Sequence, residues 1–133
     1  MKYIDRVLSR VIKRENLPSL LTYWRLKDYK IVFTNGCFDL LHKGHIEYLS
    51  KAADHGDILV VGMNSDDSVK RIKGDSRPIQ DESSRAMTLA SLKMVTVVVV
   101  FEEDTPYNLI KEVKPDVLIK GADYKEEDIV GAD

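Results

Sequence analysis

Cysteine is almost absent from this sequence, and long apolar runs are missing. The single cysteine, Cys37, excludes an intramolecular disulfide framework and a zinc site built on cysteines. It also favours a cytoplasmic compartment, in which thiols stay reduced. The longest unbroken apolar run is Val97–Phe101, whereas a membrane span needs about 18 residues. Charged residues interrupt the first dozen positions, so we expect no secretory signal and a soluble, intracellular protein.

The sequence also lacks a large excess of positive or negative charge. The chain has 20 Lys+Arg against 22 Asp+Glu, a formal net charge of −2. This balance argues against a general binder of nucleic acid or of a membrane surface, because both need a basic face. What the sequence does have is a 44% hydrophobic content over 133 residues. That is enough for one packed core.

Short apolar segments alternate with amphipathic ones along most of the chain. Strand patterns occur at 31–34, 58–61, 95–101 and 116–119, and helical patterns at 44–55, 65–72, 83–92 and 106–113. Ser65 is a candidate helix cap, as is Asp81 or Ser83 for the following helix. Apolar strands separated by helices predict an α/β fold, a Rossmann-like parallel sheet covered by helices on both faces.

The N-terminal residues read as a helical extension, residues 1–29, ahead of an α/β domain at 30–133. Ile4, Leu8 and their neighbours to residue 12 follow helical spacing, and a second short helix follows Pro18. Apolar residues on these helices (Ile4, Leu8 and Trp24) suggest a homodimer contact. At the other end, residues 126–130 start what reads as a helix. We therefore expect the domain to be incomplete at its C-terminus.

The segment 34–45, Thr-Asn-Gly-Cys-Phe-Asp-Leu-Leu-His-Lys-Gly-His, follows the first long strand and opens a helix. Helix N-termini at this edge of a parallel sheet favour anions, yet neither common glycine-rich phosphate motif is present. His42 and His45 lie three residues apart and can donate to one group of phosphate oxygens. Gly44 between them leaves room for close approach of a ligand.

Two simpler interpretations of the histidines stay open at this point. They can be surface or helix-capping residues, which is common for an arbitrary His-x-x-His pair. They can also bind a metal, but this is weaker because the third histidine, His55, is at the far end of the helix.

Residues 36–45 resemble the signature of the H-x-G-H nucleotidyltransferases, the cytidylyltransferase-like superfamily. Within it, the sequence is most similar to the adenylyltransferase domains that act on D-glycero-β-D-manno-heptose 1-phosphate. Residues 64–67, 73–78 and 120–124 carry that narrower resemblance, which extends over about residues 30–133. Members of the superfamily continue with a Ser-Thr-Thr turn that helps to hold the phosphates, and nothing in this sequence matches it.

The resemblance implies an enzyme that transfers AMP from ATP, with Mg²⁺, to a sugar 1-phosphate and releases pyrophosphate. The product would be ADP-heptose for the lipopolysaccharide core, with a heptose kinase acting upstream. Sibling activities stay open: a glycerol-3-phosphate cytidylyltransferase or a flavin-forming adenylyltransferase. The sequence has Lys43 where the glycerol phosphate group usually has Trp. A non-catalytic nucleotide-binding domain also stays open.

The same resemblance assigns site residues. His42 and His45 would stabilise the transition state, with Lys73 as a further catalytic candidate. The implied nucleotide-binding set is Cys37, Phe38, Asp39, His42, Gly44, His45, Lys120, Gly121 and Asp123, and the implied substrate-binding set is Asn35, Asn64, Asp66, Lys73, Arg77 and Arg85.

Several of these residues also have plain structural interpretations. Asp39 can be a capping carboxylate at the helix entry, and Arg85 can form a structural ion pair. The basic cluster around Lys73 and Arg77 can be a solvated helix end, and residues 120–124 an ordinary turn. For Cys37 we expect a small side chain beside the nucleotide, since no neighbouring base would activate a thiol nucleophile.

Overall fold

The computed structural model of this chain describes residues 1–120 and the backbone of residues 130–131. Two of the expected site residues, Gly121 and Asp123, lie outside the described residues. Within them, no helix has the length and apolar character needed to cross a membrane.

Six strands form one sheet in the order β1-β4-β3-β2-β5-β6, with β1 to β5 parallel and β6 antiparallel to β5. The strands are β1 (Val11–Ile12), β2 (Ile31–Gly36), β3 (Ile58–Asn64), β4 (Val97–Phe101), β5 (Val117–Ile119) and β6 (Val130–Gly131). The helices are α1 (Tyr3–Ser9), α2 (Leu17–Leu26), α3 (Lys43–Ala53), α4 (Asp66–Lys73), α5 (Glu82–Ala90) and α6 (Tyr107–Val113). The predicted Rossmann-like architecture is confirmed.

Two hydrophobic cores lie on opposite faces of the sheet, because alternate residues of each strand point to opposite sides. On one face, α3 and α5 pack against Val32 and Val61; on the other, α2 and α6 pack against Phe33 and Val60. Trp24 belongs to this second core and is only 5% exposed. Its predicted place in an exposed dimer contact is therefore wrong, because α2 turns the indole towards the sheet.

Polar side chains cap the N-termini of α4 and α5. The Ser65 hydroxyl accepts a hydrogen bond from the Ser68 N–H at 3.1 Å and begins α4. The Asp81 carboxylate accepts from the Ser84 N–H at 2.8 Å and begins α5. Both caps satisfy backbone donors that have no partner within the helix. The sequence indicated Ser65, and of its two candidates for the next helix Asp81 is confirmed.

The two ends of the chain differ from the sequence expectation. The first helix ends at Ser9, and Val11 and Ile12 pair with Val98 and Val99 as an edge strand. Both side chains are β-branched, which favours a strand. The edge of β4 also has backbone N–H and C=O groups that a strand can pair with, whereas a helix cannot. Likewise Val130 lies in a strand rather than in a helix. The N-terminal segment thus completes the sheet instead of forming a purely helical extension.

The order of the strands indicates where a ligand site should lie. Chain order reverses at β2, which has β3 on one side and β5 on the other. In doubly wound sheets such a reversal opens a crevice at the carboxyl ends of the strands, where ligands bind. The segments that follow β2, β3, β4 and β5 all meet at this edge.

Candidate active site

A cavity of 610 Å³ opens at the carboxyl edge of the sheet. This is within the range of about 300–1,000 Å³ that is typical of small-molecule sites. Many of the expected site residues line it, together with several that the sequence did not indicate. The lining consists of Asn35, Gly36, Cys37, Phe38, Asp39, Leu40, His45, Asn64, Ile72, Lys73, Asp104, Pro106, Ile110, Leu118 and Lys120.

The two histidines lie at the N-terminus of α3 and cap it reciprocally. His42 Nδ1 accepts from the Gly44 N–H at 3.0 Å, and His45 Nδ1 accepts from the His42 N–H at 3.3 Å. The ring centroids are 4.1 Å apart. The capping interpretation is therefore correct, but it does not compete with a catalytic one, because capping uses only one nitrogen of each ring.

Capping also determines the tautomer of both rings. Since Nδ1 accepts a hydrogen bond, a neutral imidazole carries its proton on Nε2. His42 and His45 are thereby set up as Nε2–H donors at the N-terminus of a helix, where the helix dipole favours negative charge. His45 lines the cavity, and His42 is exposed beside it.

Glycine at position 44 is explained by His42 rather than by a ligand. A Cβ atom at Gly44 would lie 2.8 Å from Cε1 and 3.0 Å from Nδ1 of the His42 ring. These distances are too short for ordinary contact, so any larger residue would displace the imidazole. The room that the sequence suggested for a ligand beside Gly44 is filled by His42 itself.

Asp39 fastens the loop that follows α4. Its carboxylate accepts from the N–H groups of Ile79 at 2.8 Å and Gln80 at 2.9 Å, with Arg77 Nη1 at 3.5 Å. Burial acts to raise the Asp39 pKa, but the backbone donors and Arg77 outweigh it and lower the pKa below its ordinary value. Because His42 is the N-cap of α3, the alternative of Asp39 as a helix cap is wrong.

Arg85 is fully buried behind the cavity wall. Its guanidinium donates to the carbonyls of Gln80 at 3.0 Å, Cys37 at 2.7 Å and Asn64 at 2.8 Å, and to Asp66 Oδ1 at 2.7 Å. Arg85 and Asp66 are thus committed to each other and to the ends of β2 and β3, and neither lines the cavity. Direct substrate contact by Arg85, expected from the sequence, does not fit this enclosed guanidinium.

Cationic groups approach the cavity from both sides of the histidines. Lys73 ends α4 on the side of β3, and Lys120 follows β5 on the other side; both line the cavity. The Lys120 carbonyl accepts from the Tyr48 hydroxyl at 2.6 Å, and that hydroxyl also contacts Thr34. Burial raises the Tyr48 pKa to about 12, so the hydroxyl stays protonated and tethers α3 to β5.

Some lining residues were missed by the sequence analysis: Ile72, Asp104, Pro106, Ile110 and Leu118. Asp104 and Pro106 follow β4, the strand for which no site residue was expected. The rule that all segments after parallel strands share one edge would have indicated them.

The described residues contain no group of three or more His, Cys, Asp or Glu side chains placed to hold a metal ion. The Asp39 carboxylate already accepts hydrogen bonds at both oxygens.

Comparison with known proteins shows which family this chain belongs to. A family model described as cytidylyltransferase-like matches residues 33–130. The bifunctional protein HldE of Wolinella succinogenes is 52% identical over 125 residues, covering 94% of this chain and 26% of that protein. HldE of Helicobacter acinonychis is 55% identical over 130 residues, covering 98% of this chain and 27% of that protein.

One solved structure is also similar. The lipopolysaccharide core biosynthesis protein from Thermoplasma volcanium GSS1 has a TM-score of 0.61 and 39% identity, with 68% of this chain and 72% of that chain covered. The chain thus belongs to the cytidylyltransferase-like family, and it is a nucleotidyltransferase. It spans about a quarter of the length of the HldE proteins that it matches.

Proposed function

We propose that this chain transfers AMP from ATP to a sugar 1-phosphate, D-glycero-β-D-manno-heptose 1-phosphate, and releases pyrophosphate. The product, ADP-heptose, would serve lipopolysaccharide core synthesis. The relatives support the pathway, since one is named as a lipopolysaccharide core biosynthesis protein and others as HldE. The observation that carries the chemistry is the histidine pair, with both Nδ1 atoms held by backbone N–H groups.

The reaction is a substitution at the α-phosphorus of ATP. An oxygen of the acceptor phosphate attacks, and the bond from the α-phosphorus to the α,β-bridging oxygen breaks. The electron pair leaves on that oxygen as pyrophosphate. Negative charge concentrates around phosphorus on the way, and preplaced donors lower the barrier by stabilising it. His42 and His45 would supply Nε2–H donors there, and Lys73 and Lys120 positive charge from either side.

The remaining expected residues have supporting parts in this proposal. Asn35, Cys37 and Phe38 would border the nucleotide, as would Gly121 and Asp123, which lie outside the described residues. Arg77 would approach a substrate phosphate from the loop that Asp39 fastens. Arg85 and Asp66 would position the strand ends.

We propose that the nucleotide enters as Mg–ATP, in which the ion is coordinated by phosphate oxygens and shields their charge. Members of this family generally use a divalent metal with the nucleotide. We propose that a heptose kinase, on a separate protein or on the same one, acts upstream in supplying this sugar phosphate. We propose a cytoplasmic reaction, since the proposed substrate ATP is made and kept there.

The test is a panel of ATP and CTP against heptose 1-phosphate, glycerol 3-phosphate and flavin mononucleotide, with pyrophosphate release as the readout. We expect pyrophosphate release from only one pair in the panel, ATP with heptose 1-phosphate. Exclusive use of CTP would overturn the proposal in favour of a cytidylyltransferase. ATP binding in calorimetry without pyrophosphate release from any pair would indicate a binding domain instead.

A further inference from the structure

Asp104 is a carboxylate in the wall of a cavity that must receive two polyanions. It lies in the segment after β4, with Pro106, on the same side of the histidines as Ile72 and Lys73. None of the catalytic steps above uses it. Its side chain is 64% exposed, so the structure does not bury it for stability.

Hydrogen bonds from three side chains hold the segment that contains Asp104. Arg71 Nε donates to Asp104 Oδ1 at 2.6 Å, and the same guanidinium contacts the Glu102 carbonyl. The Ser68 hydroxyl donates to the Glu103 carbonyl at 2.9 Å, and Arg14 holds the Glu103 side chain at 2.7 Å. The carboxylate is thereby kept at one place in the wall, which is the arrangement expected of a binding group.

Charge decides what such a group can bind. A carboxylate repels phosphate oxygens, so Asp104 is not suited to direct contact with the triphosphate or the acceptor phosphate. Arg71 offsets part of its charge and occupies Oδ1, and Oδ2 accepts no hydrogen bond from the described residues. A carboxylate oxygen in a cavity that is also lined by the apolar Ile72, Pro106 and Ile110 suits a ligand with both hydroxyl groups and C–H faces. A sugar ring is such a ligand.

We propose that Asp104 is a specificity-determining residue for the acceptor, and that Oδ2 accepts hydrogen bonds from hydroxyl groups of its sugar ring. This inference rests on the proposed function, since it requires a polyhydroxylated sugar phosphate as the acceptor. It assigns the phosphates to the cationic groups and the histidines (His45, Lys73 and Lys120 in the lining) and the sugar ring to Asp104.

The test is steady-state kinetics of Asp104→Asn in the full protein, with ATP and heptose 1-phosphate. The amide keeps the size of the side chain but accepts hydrogen bonds without charge assistance, which about halves their strength. We expect KM for the sugar phosphate to rise about tenfold, with KM for ATP and kcat at saturating acceptor within about twofold. Glu102→Gln is the matched control, because it removes the same charge from an exposed neighbour that does not line the cavity.

Acceptors that lack single hydroxyl groups separate a contact from a general disturbance. Removing the hydroxyl group that contacts Asp104 should raise the acceptor KM less in Asp104→Asn than in the wild-type enzyme, because the amide accepts the weaker hydrogen bond. Equal acceptor KM values for Asp104→Asn and wild type would overturn the inference, as would equal losses for ATP and acceptor. Absence of turnover in the wild-type enzyme, with ATP binding intact, would instead contradict the proposed function.

Discussion

Among the described residues, Arg85 is the charged group that is buried most completely, and replacing it tests how much it stabilises the site. Its side chain has no exposed surface, whereas that of its partner Asp66 is 31% exposed. Arg85→Met keeps much of the side-chain volume but removes all four hydrogen bonds that the guanidinium makes. Three carbonyl acceptors and one carboxylate then lose their donor together.

The expected cost follows from burial. Removing one partner of a buried ion pair typically lowers the free energy of unfolding by about 3–5 kcal/mol. Because Asp66 reaches water, we expect the lower part of that range, about 3–4 kcal/mol. With an unfolding entropy of about 2.1 cal/mol/K per residue, a chain of 133 residues has about 0.28 kcal/mol/K. The melting temperature should therefore fall by about 10–14 °C.

Thermal unfolding followed by circular dichroism measures this effect, with urea denaturation as a second measure of stability. Arg6→Met is the matched control, since it removes the same charge from an exposed position and should change stability by less than about 0.5 kcal/mol. If Arg85→Met and Arg6→Met melt within 2–3 °C of each other (roughly 0.6–0.8 kcal/mol), then the guanidinium makes no net contribution to stability and the reasoning from burial is refuted.

Two further predictions concern the histidines and the pH dependence of stability. His42→Ala and His45→Ala should each lower kcat at least about a hundredfold, because a preplaced donor is lost, while each lost cap costs only about 1 kcal/mol. His55→Ala, at an exposed position just beyond the end of α3, should keep full activity, and equal rates for all three variants would contradict the assignment. The hydrogen bond from Arg14 lowers the Glu103 pKa from 4.5 to about 2, so this pair stabilises the fold above about pH 4.5 and loses its effect as the pH falls towards 2. Glu103→Gln should therefore be less stable than wild type at pH 6 but not at pH 2, measured by urea denaturation, and a constant difference across this range would argue against the shift.

The sequence predicted the central sheet well because its strands are apolar on both faces, and no other environment would accommodate them. It failed at Val11 and Ile12 because five apolar residues at helical spacing fit a helix until the β4 edge becomes available. That edge is more than 80 residues away along the chain. Propensity within a short window contains no information about such a partner.

The site shows the same division between local and distant information. The His-x-Gly-His segment is contiguous, so its position at a strand end and helix start could be inferred directly. Arg85 could not be placed in this way, because its acceptors come from residues 37, 64, 66 and 80. Asp104 was missed for the opposite reason: one acidic residue after a strand has no distinctive pattern until the cavity is known.

The short edge strand β1 has a consequence for handling the protein. β4 carries the run Val97–Phe101, which is rich in β-branched residues and uncharged, and β1 pairs with it along the side away from β3. A shortened version that starts at residue 14 would leave this backbone edge without its cover. Open apolar edges recruit strands from other molecules. Such a version should self-associate even though its nucleotide cavity is intact.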